Sequence, residues 1–523
     1  MRKNIILMLS LLATVGCSKS EFDNKPTRNR VEMSVSAIKE ISSESSEVSR
    51  IEFNGSVYDM LWEADDQIGV YIAGTGEKAN FAMDVLADDR KSARFRAEIY
   101  EPNAIDDYYA FYPVTTPFNG SIASFVLPNE TTGATTPMLV AAHEGVAMGD
   151  VALNFKPVTA LLELTLGFDA DKVIVESNNG ESLAGICAYN FGSNTVQNPT
   201  GSTSVTLTSA TAGTHYLYMP EVTLSKGYKV IVEKSGQQMI KSVAYNTGKT
   251  FVAGEVTPLT ISSFEGVTVN LCDVYTTYTL AQRKNSEANN TANTNIIFFN
   301  GNCSYSGISS TLVKECGVHI GGTNISATAT NKQFSIANQT NKAQGSYEVF
   351  AYIKTIDGTT YKSTPTTVYI TGLPYSISFG NTTSPGGWTV SNTKIGRTLT
   401  HSFNIFSFGA GDAYAISPSF YIPATTSVTA TFMMYAYKSA TWASYKPNVY
   451  ISASTTDVAS NNVATLSSQI NTYGTATVSW SYPAATVNMT SSINKVCVHT
   501  SGSCSSTYYP CIPTESCTIN YAF

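Results

Sequence analysis

Turn-forming residues interrupt this chain so regularly that they constrain its fold more than any other feature. Proline and glycine recur roughly every 8–15 residues, a spacing typical of the turns in β-sandwiches. The segments between them are rich in Val, Ile, Thr, Tyr and Phe, which favour strands. No amphipathic helix longer than about three turns stands out. The 523 residues therefore predict an all-β protein of tandem β-sandwich domains.

The first 17 residues, MRKNIILMLSLLATVGC, predict export. Arg2 and Lys3 form a basic region, and residues 5–15 form an apolar run that is too short to span a bilayer. The small residues before Cys17 are typical of a bacterial lipobox, in which the cysteine is lipidated. We therefore predict a lipoprotein attached to the outer membrane through Cys17. An ordinary signal peptide, with Cys17 incidental, is the alternative.

A single good strand follows the signal segment. Val31, Met33, Val35 and Ala37 alternate with polar side chains, which predicts a half-buried β-strand. The next residues are rich in serine and glutamate, show no period and end at Arg50. The chain thus begins with a strand joined to the rest by a polar tether.

An ordered set of motifs carries a family resemblance. W-x-x-x-D-x-I-G-V-Y begins at Trp62, Y-Y-A-F-Y-P at Tyr108 and F-K-x-x-x-A-x-L-E-L at Phe155. This order resembles the fimbrillin-like proteins of bacteroidete pili. The resemblance continues through LAGICAYNFG (183–192), HYLYMP (215–220), KGYKVIVEKSG (226–236) and FVAGEVTPLTI (251–261). It implies two β-sandwich domains, export as a lipoprotein and assembly into fimbriae by strand exchange.

The aromatic and acidic residues of these motifs are expected to be structural. Trp62, Tyr108, Tyr109 and Tyr112 have a spacing of period two, which predicts core and strand-edge packing rather than a binding site. Asp65 and Asp66 suit a turn better than a metal site, because they lack the further carboxylates at alternate positions that a calcium loop needs.

The same resemblance implies a role for the tether. A trypsin-like protease would remove the first strand after assembly on the membrane. A cut at Arg28 or Arg30 would free the lipid but leave the strand in place. A cut at Arg50 would also open an apolar groove that another subunit's strand can fill, and Lys39 is the second choice. A plain flexible loop with a surface arginine is the alternative.

The second half of the chain carries two further resemblances. Y-x-V-x-A-Y-x-K-T-x-D-G-T-x-Y, from Tyr347, is similar to fibronectin type III-like modules, and Asp357-Gly358 within it predicts a hairpin turn with two positive φ angles. Residues 373–523 resemble jelly-roll adhesin and carbohydrate-binding-like modules, with few charges and three of the four tryptophans. The predicted segments are 1–17 (signal peptide and lipobox cysteine), 18–167 and 168–266 (fimbrillin-like sandwiches), 267–372 (fibronectin III-like) and 373–523 (jelly roll).

One connection in the last segment is a candidate ligand surface. Trp442 and Tyr445 lie in YKSATWASYKPN (437–448), between two predicted strands. An exposed tryptophan there would suit contact with a glycan or a protein on a host or bacterial surface. In the alternative, Trp442 folds back over the end of the sandwich.

Cysteines after Cys17 predict disulfides in an exported protein. The spacings within residues 497–517 lack the C-x-x-C pairs of a zinc site, so we predict no metal or other cofactor. Cys187 and Cys272 are expected to be unpaired, with Cys187 buried. The predicted pairs are Cys497 with Cys517 across two facing strands, Cys504 with Cys511, and Cys303 with Cys316 on neighbouring strands.

Several classes of function are disfavoured. The five histidines are dispersed, and neither H-E-x-x-H nor G-x-S-x-G occurs, so we predict that the protein is not an enzyme. The net charge is −7 without a basic stripe, which argues against nucleic acid.

The leading hypothesis is a pilus tip subunit acting in cell adhesion, with other pilus subunits as partners. A long extension follows position 265, and the final strand, SCTINYAF, is expected to be held in its own domain by Cys517. The alternative is a surface lipoprotein that binds glycans without polymerising.

Overall fold

The structure, a computed structural model, describes residues 28–39, 51–54, 57–133, 138–284, 294–378, 387–391, 413–424, 426–436, 448–452, 462–465, 480–481, 485–492, 494–501 and 514–522. These residues are mostly strands, with a short α-helix, so the all-β prediction is confirmed. The chain forms two compact units: the first extends to residue 264 without 237–240, and the second contains 237–240 and 265–523. In the part of the chain described, no helix is long and apolar enough to cross a bilayer.

The first unit contains the strands from β1 to β23, except for residues 237–240 of β21, and a 3-10 turn at Met148–Asp150. Their bounds are β1 (Arg30–Lys39), β2 (Ile51–Asn54), β3 (Val57–Met60), β4 (Gln67–Ile72), β5 (Glu77–Leu86), β6 (Ser92–Tyr100), β7 (Asp106–Tyr112), β8 (Phe118–Asn119), β9 (Ile122–Leu127), β10 (Glu130–Thr131), β11 (Leu139–Val146), β12 (Ala152–Pro157), β13 (Ala160–Leu166), β14 (Ala170–Ser177), β15 (Gly185–Asn190), β16 (Thr195–Thr200), β17 (Ser204–Ala210), β18 (Gly213–Met219), β19 (Val222–Leu224), β20 (Tyr228–Lys234), β21 (Gln237–Val243), β22 (Lys249–Phe251) and β23 (Val256–Ile261).

The first sheet of this unit closes on itself. Its strand order is β1-β12-β11-β7-β4-β5-β6, and the ring forms a barrel where the sequence suggested an open sandwich. Side chains that alternate along β5 and β6, among them Phe81 and Phe95, point into the barrel because successive side chains of a strand face opposite sides. The barrel thus has its own apolar core.

Strand β7 shows why Y-Y-A-F-Y-P is apolar almost throughout. Tyr108, Ala110 and Tyr112 point into the barrel core. Tyr109 and Phe111 point outward and pack in a second core, which the sheet β16-β15-β9-β8 helps to form. A strand buried on both faces reads as a continuous apolar run. The other sheets of this unit are β10-β17-β14-β20-β21, β18-β13-β23, β19-β22 and β2-β3.

The second unit contains β24 to β43, the helix α1 and a 3-10 turn at Ser310–Leu312. Their bounds are β24 (Thr268–Asn270), β25 (Asp273–Tyr275), α1 (Thr277–Lys284), β26 (Phe298–Asn300), β27 (Cys303–Ser306), β28 (Val313–Ile320), β29 (Thr323–Ala327), β30 (Gln333–Phe334), β31 (Gly345–Thr355), β32 (Thr360–Lys362), β33 (Thr366–Ile370), β34 (Tyr375–Ser378), β35 (Thr389–Ser391), β36 (Ala413–Ile416), β37 (Val428–Ala436), β38 (Asn448–Ser452), β39 (Asn462–Thr465), β40 (Trp480–Ser481), β41 (Ala485–Met489), β42 (Cys497–Ser501) and β43 (Thr514–Tyr521).

These strands form two groups of sheets. The strands before residue 373 form β24-β27-β30, β25-β26 and β29-β28-β31-β32, with β33 also paired to β31. The later strands form β34-β43-β37-β40, with β41 also paired to β37, and β35-β36-β42-β38-β39. The division of the chain into five segments remains a prediction.

The predicted hairpin at Asp357-Gly358 joins β31 and β32. The N–H of Thr355 donates to the carbonyl of Thr359 at 2.9 Å, and Gly358 has a φ of 92°. Asp357 keeps a negative φ, so the expectation of two positive φ angles is wrong. Three residues, 356–358, lie between the bonded residues Thr355 and Thr359. Hairpin loops of this length combine a type I turn with one left-handed residue.

Candidate functional site: the strand that closes the barrel

Strand β1 is bonded on both edges. It pairs antiparallel with β6 through residues 30–38 and parallel with β12 through residues 36–39. The barrel closes through these two ladders. Removing β1 would therefore leave β6 and β12 with unpaired edges, which are templates for another strand.

The inner face of β1 is apolar, as the alternation predicted. Met33, Val35 and Ala37 are at most 1% exposed, and Val31 packs partly buried against the same core. Burying a Met or Val side chain contributes about 1.5–3 kcal/mol. Between them these side chains account for a substantial part of a domain's net stability of about 5–15 kcal/mol.

An aromatic cluster forms the floor of the core that β1 covers. Trp62 is fully buried and meets three rings edge-to-face, with centroid distances of 5.1 Å to Phe95, 5.7 Å to Tyr112 and 5.3 Å to Phe155. Edge-to-face packing is a favoured geometry for aromatic pairs. The prediction that Trp62 and the tyrosines of β7 pack rather than bind is confirmed for Trp62, Tyr108 and Tyr112 by their burial.

Asp66 belongs to a turn, as its sequence context predicted. Its carboxylate accepts hydrogen bonds from the N–H of Glu63 at 2.9 Å and from the hydroxyl of Tyr112 at 2.8 Å. These bonds fix the turn that leads into β4. In the residues that the structure describes, no group of three or more His, Cys, Asp or Glu side chains could hold a metal ion.

The glycine of the I-G-V-Y motif makes room for an aromatic ring. Gly69 lies opposite Phe111 in the ladder between β4 and β7. A Cβ atom at Gly69 would lie 2.2 Å from Cε2 of Phe111, far inside contact distance. That ring stacks on Phe118 at 5.1 Å, and the ammonium of Lys78 lies 4.8 Å from its centre. The glycine in this motif is therefore explained by the close packing of the Phe111 ring against β4.

Two arginines hold the start of β1. Arg28 donates to the carbonyls of Gly74 and Glu101 and to Oδ1 of Asn103, at 3.0–3.1 Å. Arg30 forms an ion pair with Glu77 at 2.9 Å, and its guanidinium lies 4.7 Å from the ring centre of Tyr100. Arg30 is exposed, so its ion pair contributes at most about 1 kcal/mol.

A charge network crosses the outer face of β1, β6 and β5. Arg96 donates to Glu32 of β1 at 3.0 Å and to Asp84 of β5 at 3.1 Å, and Arg94 donates to Asp84 at 2.7 Å. The hydrogen bond from Arg94 lowers the pKa of Asp84, against a smaller effect of desolvation. The network gives β1 a preferred register on the outside of the barrel.

These contacts bear on the candidate cleavage sites. The side chains of Arg28 and Arg30 are engaged at the barrel, and Arg30 lies within a paired strand. Lys39 is the last residue of β1 and pairs with Phe155 of β12. Proteases cut extended, unpaired chain more readily than paired strands. The first choice, Arg50, lies outside the described residues, as does the lipidation candidate Cys17.

The comparison with protein families matches a region in the first half of the chain. A family model described as fimbrillin-like matches residues 55–277. Residues 55–277 are fimbrillin-like. The matched region begins after β1 and includes the other six strands of the barrel. The assignment supports a role in adhesion at the cell surface.

Solved structures resemble parts of this fimbrillin-like protein. Candidate cell adhesion proteins from Bacteroides uniformis and Bacteroides ovatus are 20% and 13% identical; they cover 46% and 45% of this chain and 95% and 92% of their own, with TM-scores of 0.32 and 0.33. The K3 cleaved adhesin domain of Lys-gingipain from Porphyromonas gingivalis is 19% identical, covers 28% of this chain and 96% of its own, and has a TM-score of 0.20. At these values the likenesses carry no functional argument. No curated protein matches the chain.

The final strand of this fimbrillin-like protein is central in its own sheet. β43 pairs with β34 on one edge and with β37 on the other. The hydroxyl of Tyr521 donates to the carbonyl of Leu373 at 3.1 Å and lies 2.5 Å from Oγ1 of Thr371. Burial raises the pKa of Tyr521. Tyr278 adds an edge-to-face contact at 5.4 Å, and its own hydroxyl bonds Thr426 at 2.6 Å.

Sequence reasoning missed this hydroxyl cluster. Tyr521 and Thr371 are 150 residues apart, so no local motif relates them. A tyrosine near the end of an alternating strand is the only local signal. This signal indicates a side chain with an apolar ring and a polar hydroxyl, but it does not indicate which residue the hydroxyl bonds.

Neither of the two predicted disulfides that involve described cysteines is formed in the structure. Cys303, Cys316 and Cys517 are buried free thiols. Cys303 and Cys316 lie on β27 and β28, which belong to different sheets rather than to neighbouring strands. Cys497 and Cys517 likewise lie on β42 and β43, in different sheets rather than facing each other. Cys187 and Cys272 are free thiols in the structure, as predicted, and Cys187 is buried. Cys504 and Cys511 lie outside the described residues.

The candidate ligand surface cannot be placed, because Trp442 and Tyr445 lie outside the described residues. Trp388, another tryptophan of the last segment, is buried, and its indole N–H donates to the hydroxyl of Tyr375 at 3.0 Å. That ring therefore packs inside the domain and does not offer a stacking face to a sugar.

Proposed function

We propose that this fimbrillin-like protein is a fimbrial tip subunit that acts in cell adhesion and assembles by strand exchange after removal of its first strand. One observation carries the proposal. β1 closes the barrel with hydrogen bonds on both edges and an apolar inner face, yet it precedes a polar tether in the sequence. A strand in that position can be cut from the fold and replaced.

The contacts of β1 suit replacement by a foreign strand. Met33, Val35 and Ala37 fill the core by size and alternation, which another strand can reproduce. Main-chain hydrogen bonds to β6 and β12 depend little on sequence. The incoming strand would be supplied by another pilus subunit.

The tip position is supported by the other end of the chain. In the family, stalk subunits end after the second sandwich and lend a C-terminal strand to a neighbour. Here β43 lies between β34 and β37, and the hydroxyl of Tyr521 is bonded inside its own unit. Lending β43 would break both ladders, so β43 is poorly suited to donation.

The remaining parts of the proposal follow from the sequence. Export would proceed by the lipoprotein route, with Cys17 lipidated and the outer membrane as the first location. Cleavage at Arg50, or at Lys39 as the second choice, would release the subunit into the fibre. The C-terminal segments, fibronectin III-like and jelly-roll-like, would present Trp442 and Tyr445 to a surface glycan or protein. The protein would act by binding, not by catalysis.

A reversible tie between β1 and β6 tests strand exchange. Ser36 and Arg94 lie opposite each other on the outer face of the barrel, so Ser36→Cys with Arg94→Cys allows a disulfide without touching the core. The tied protein should be absent from fibres under oxidising conditions and should enter them after reduction. Western blots of sheared fibres measure the incorporation.

A matched tie elsewhere in the barrel is the control. Gln67 and Ala82 lie opposite each other on β4 and β5 and are both exposed. Gln67→Cys with Ala82→Cys should leave incorporation unchanged, because β1 remains free to leave. Equal incorporation of both oxidised pairs would contradict strand exchange at β1.

The N-terminus of the protein in purified fibres tests processing. A start at Ile51 supports the model, and Arg50→Ala should block it while Arg28→Ala should not. A start at Asn29 or Val31 would mean that β1 is retained. Immunogold labelling tests the tip position: label along whole fibres would contradict it. A lipidated protein found only outside fibres would favour the non-polymerising, glycan-binding alternative.

A further inference from the structure

Cys272 and Cys303 are brought together by two ladders in the second unit. Asn270 pairs with Ser304 between β24 and β27, and Asp273 pairs with Asn300 between β25 and β26. These pairs bracket the two cysteines: Cys272 lies between residues 270 and 273, and Cys303 lies between residues 300 and 304. Backbone register, and not side-chain rotation alone, therefore holds them side by side.

The two residues are in direct contact. The N–H of Cys272 donates to Sγ of Cys303 at 3.4 Å. Cys303 is fully buried, whereas Cys272 is half-buried. The neighbouring Cys272 side chain lowers the pKa of the Cys303 thiol, because it stabilises the thiolate. The neighbouring Cys303 side chain, in turn, raises the pKa of the Cys272 thiol.

Cys316 is the nearby competitor for Cys303. Its thiol donates to the carbonyl of Ala327 at 3.2 Å, within the ladder of β28 and β29. That bond keeps the sulfur of Cys316 on its own sheet. Cys303, in contrast, accepts a hydrogen bond from the N–H of Cys272.

We propose that Cys272 and Cys303 form a disulfide in the exported protein. The proposal uses only the exported location from the proposed function, and not strand exchange or the tip position. Sequence spacing had assigned Cys303 to Cys316 and had left Cys272 unpaired.

The oxidant is a disulfide-bearing protein or small molecule of the exporting compartment. The accessible Cys272 thiol loses its proton to solvent, and the resulting thiolate attacks one oxidant sulfur and releases the other as a thiolate. The Cys303 thiolate then attacks the Cys272 sulfur of the mixed disulfide, forming the new S–S bond and releasing the second oxidant thiolate. In sum, the pair loses two electrons and two protons, and the oxidant disulfide is reduced to a dithiol.

The bridge would enclose a segment that stabilises the final strand. Helix α1 (Thr277–Lys284) lies between the two cysteines in sequence and carries Tyr278. Tyr278 packs edge-to-face on Tyr521 and bonds Thr426. The disulfide would thus fasten the base of the segment that holds β43.

Thiol counting in serine variants tests the pair. The full-length protein is isolated from the cell surface, alkylated with iodoacetamide in denaturant without reductant, and weighed intact. If the bridge is present, Cys272→Ser and Cys303→Ser each raise the number of free thiols by one, and the double variant leaves it unchanged. Cys187→Ser is the control, which should lower the number by one.

The opposite results overturn the proposal. A loss of one thiol in both Cys272→Ser and Cys303→Ser would show that the pair is reduced. A gain in Cys303→Ser and Cys316→Ser, with a loss in Cys272→Ser, would assign the bridge to Cys316. Should a variant fail to accumulate, a non-reducing peptide map of the unchanged protein decides: a cross-linked peptide with Cys272 and Cys303 supports the bridge, and separately alkylated peptides exclude it.

Discussion

The first and last strands of the described chain, β1 and β43, are both bonded on two edges, but they are held by different chemistry. β1 fills the barrel with Met33, Val35 and Ala37, and its polar contacts are exposed ion pairs. β43 also buries apolar side chains, but Tyr521 adds hydrogen bonds to Thr371 and Leu373.

The difference concerns how replaceable each strand is. Apolar packing and backbone ladders can be supplied by any strand of suitable size and alternation. A buried hydroxyl network needs particular donors and acceptors, and losing one partner leaves the others unsatisfied. On this basis another strand can replace β1 more readily than it can replace β43.

The largest expected effect comes from a charge on the inner face of β1. Val35→Asp places a carboxylate in the barrel core and should lower the free energy of unfolding of the first unit by more than about 4 kcal/mol. Ser34→Asp, on the outer face of the same strand, should change it by less than about 0.5 kcal/mol. Urea denaturation followed by the fluorescence of Trp62 measures both. Similar losses for the two variants would mean that the faces of β1 are not distinct.

The second prediction compares the hydroxyl bonds of β43 with the apolar packing of β1. Tyr521→Phe keeps the ring but removes a buried hydroxyl, and should cost about 1–3 kcal/mol because the carbonyl of Leu373 loses its donor. Met33→Leu keeps an apolar side chain of similar size in β1 and should lower the free energy of unfolding by less than about 1.5 kcal/mol. Scanning calorimetry of both variants measures the loss of stability in the unit that each substitution changes. A larger cost for Met33→Leu would reverse the contrast between the strands.

The arginines at the start of β1 should matter less. Arg30→Ala removes the ion pair with Glu77 and the contact with Tyr100. Because the arginine is exposed, the free energy of unfolding should fall by at most about 1 kcal/mol. The difference from the unchanged protein should shrink as salt is raised, because exposed charges are screened. Denaturant titrations at low and high salt check this, and a salt-independent loss would point to packing by the arginine stem instead.

The smallest effect should follow Asp84→Asn, on the outer charge network. The pKa of Asp84 is lowered in the folded protein, so its contribution is present above its unfolded pKa and is lost as pH falls through the folded value. The stability difference between Asp84→Asn and the unchanged protein should therefore be constant near neutral pH and vanish in acid. Paired unfolding titrations across that range measure it, and a difference that persists in strong acid would exclude the ionised carboxylate as its source.

The sequence predicted the elements near each motif well. Alternation predicted β1 and its inner face, and the spacing of Trp62, Asp66 and Tyr108 predicted core and turn positions. The hairpin at Asp357-Gly358 was placed correctly, but its φ angles were not. The number of residues in the loop fixes those angles, and the dipeptide alone does not reveal it.

The order of residues by itself determined which segments are strands and which face of each strand is apolar, because period and propensity are local properties. The tertiary structure alone decided which strands meet. It placed β1 between β6 and β12 to close a barrel, β43 between β34 and β37, and Cys272, not Cys316, against Cys303. The physical reason is that register between distant strands depends on the whole pattern of packing and ladder bonds, which no single segment encodes.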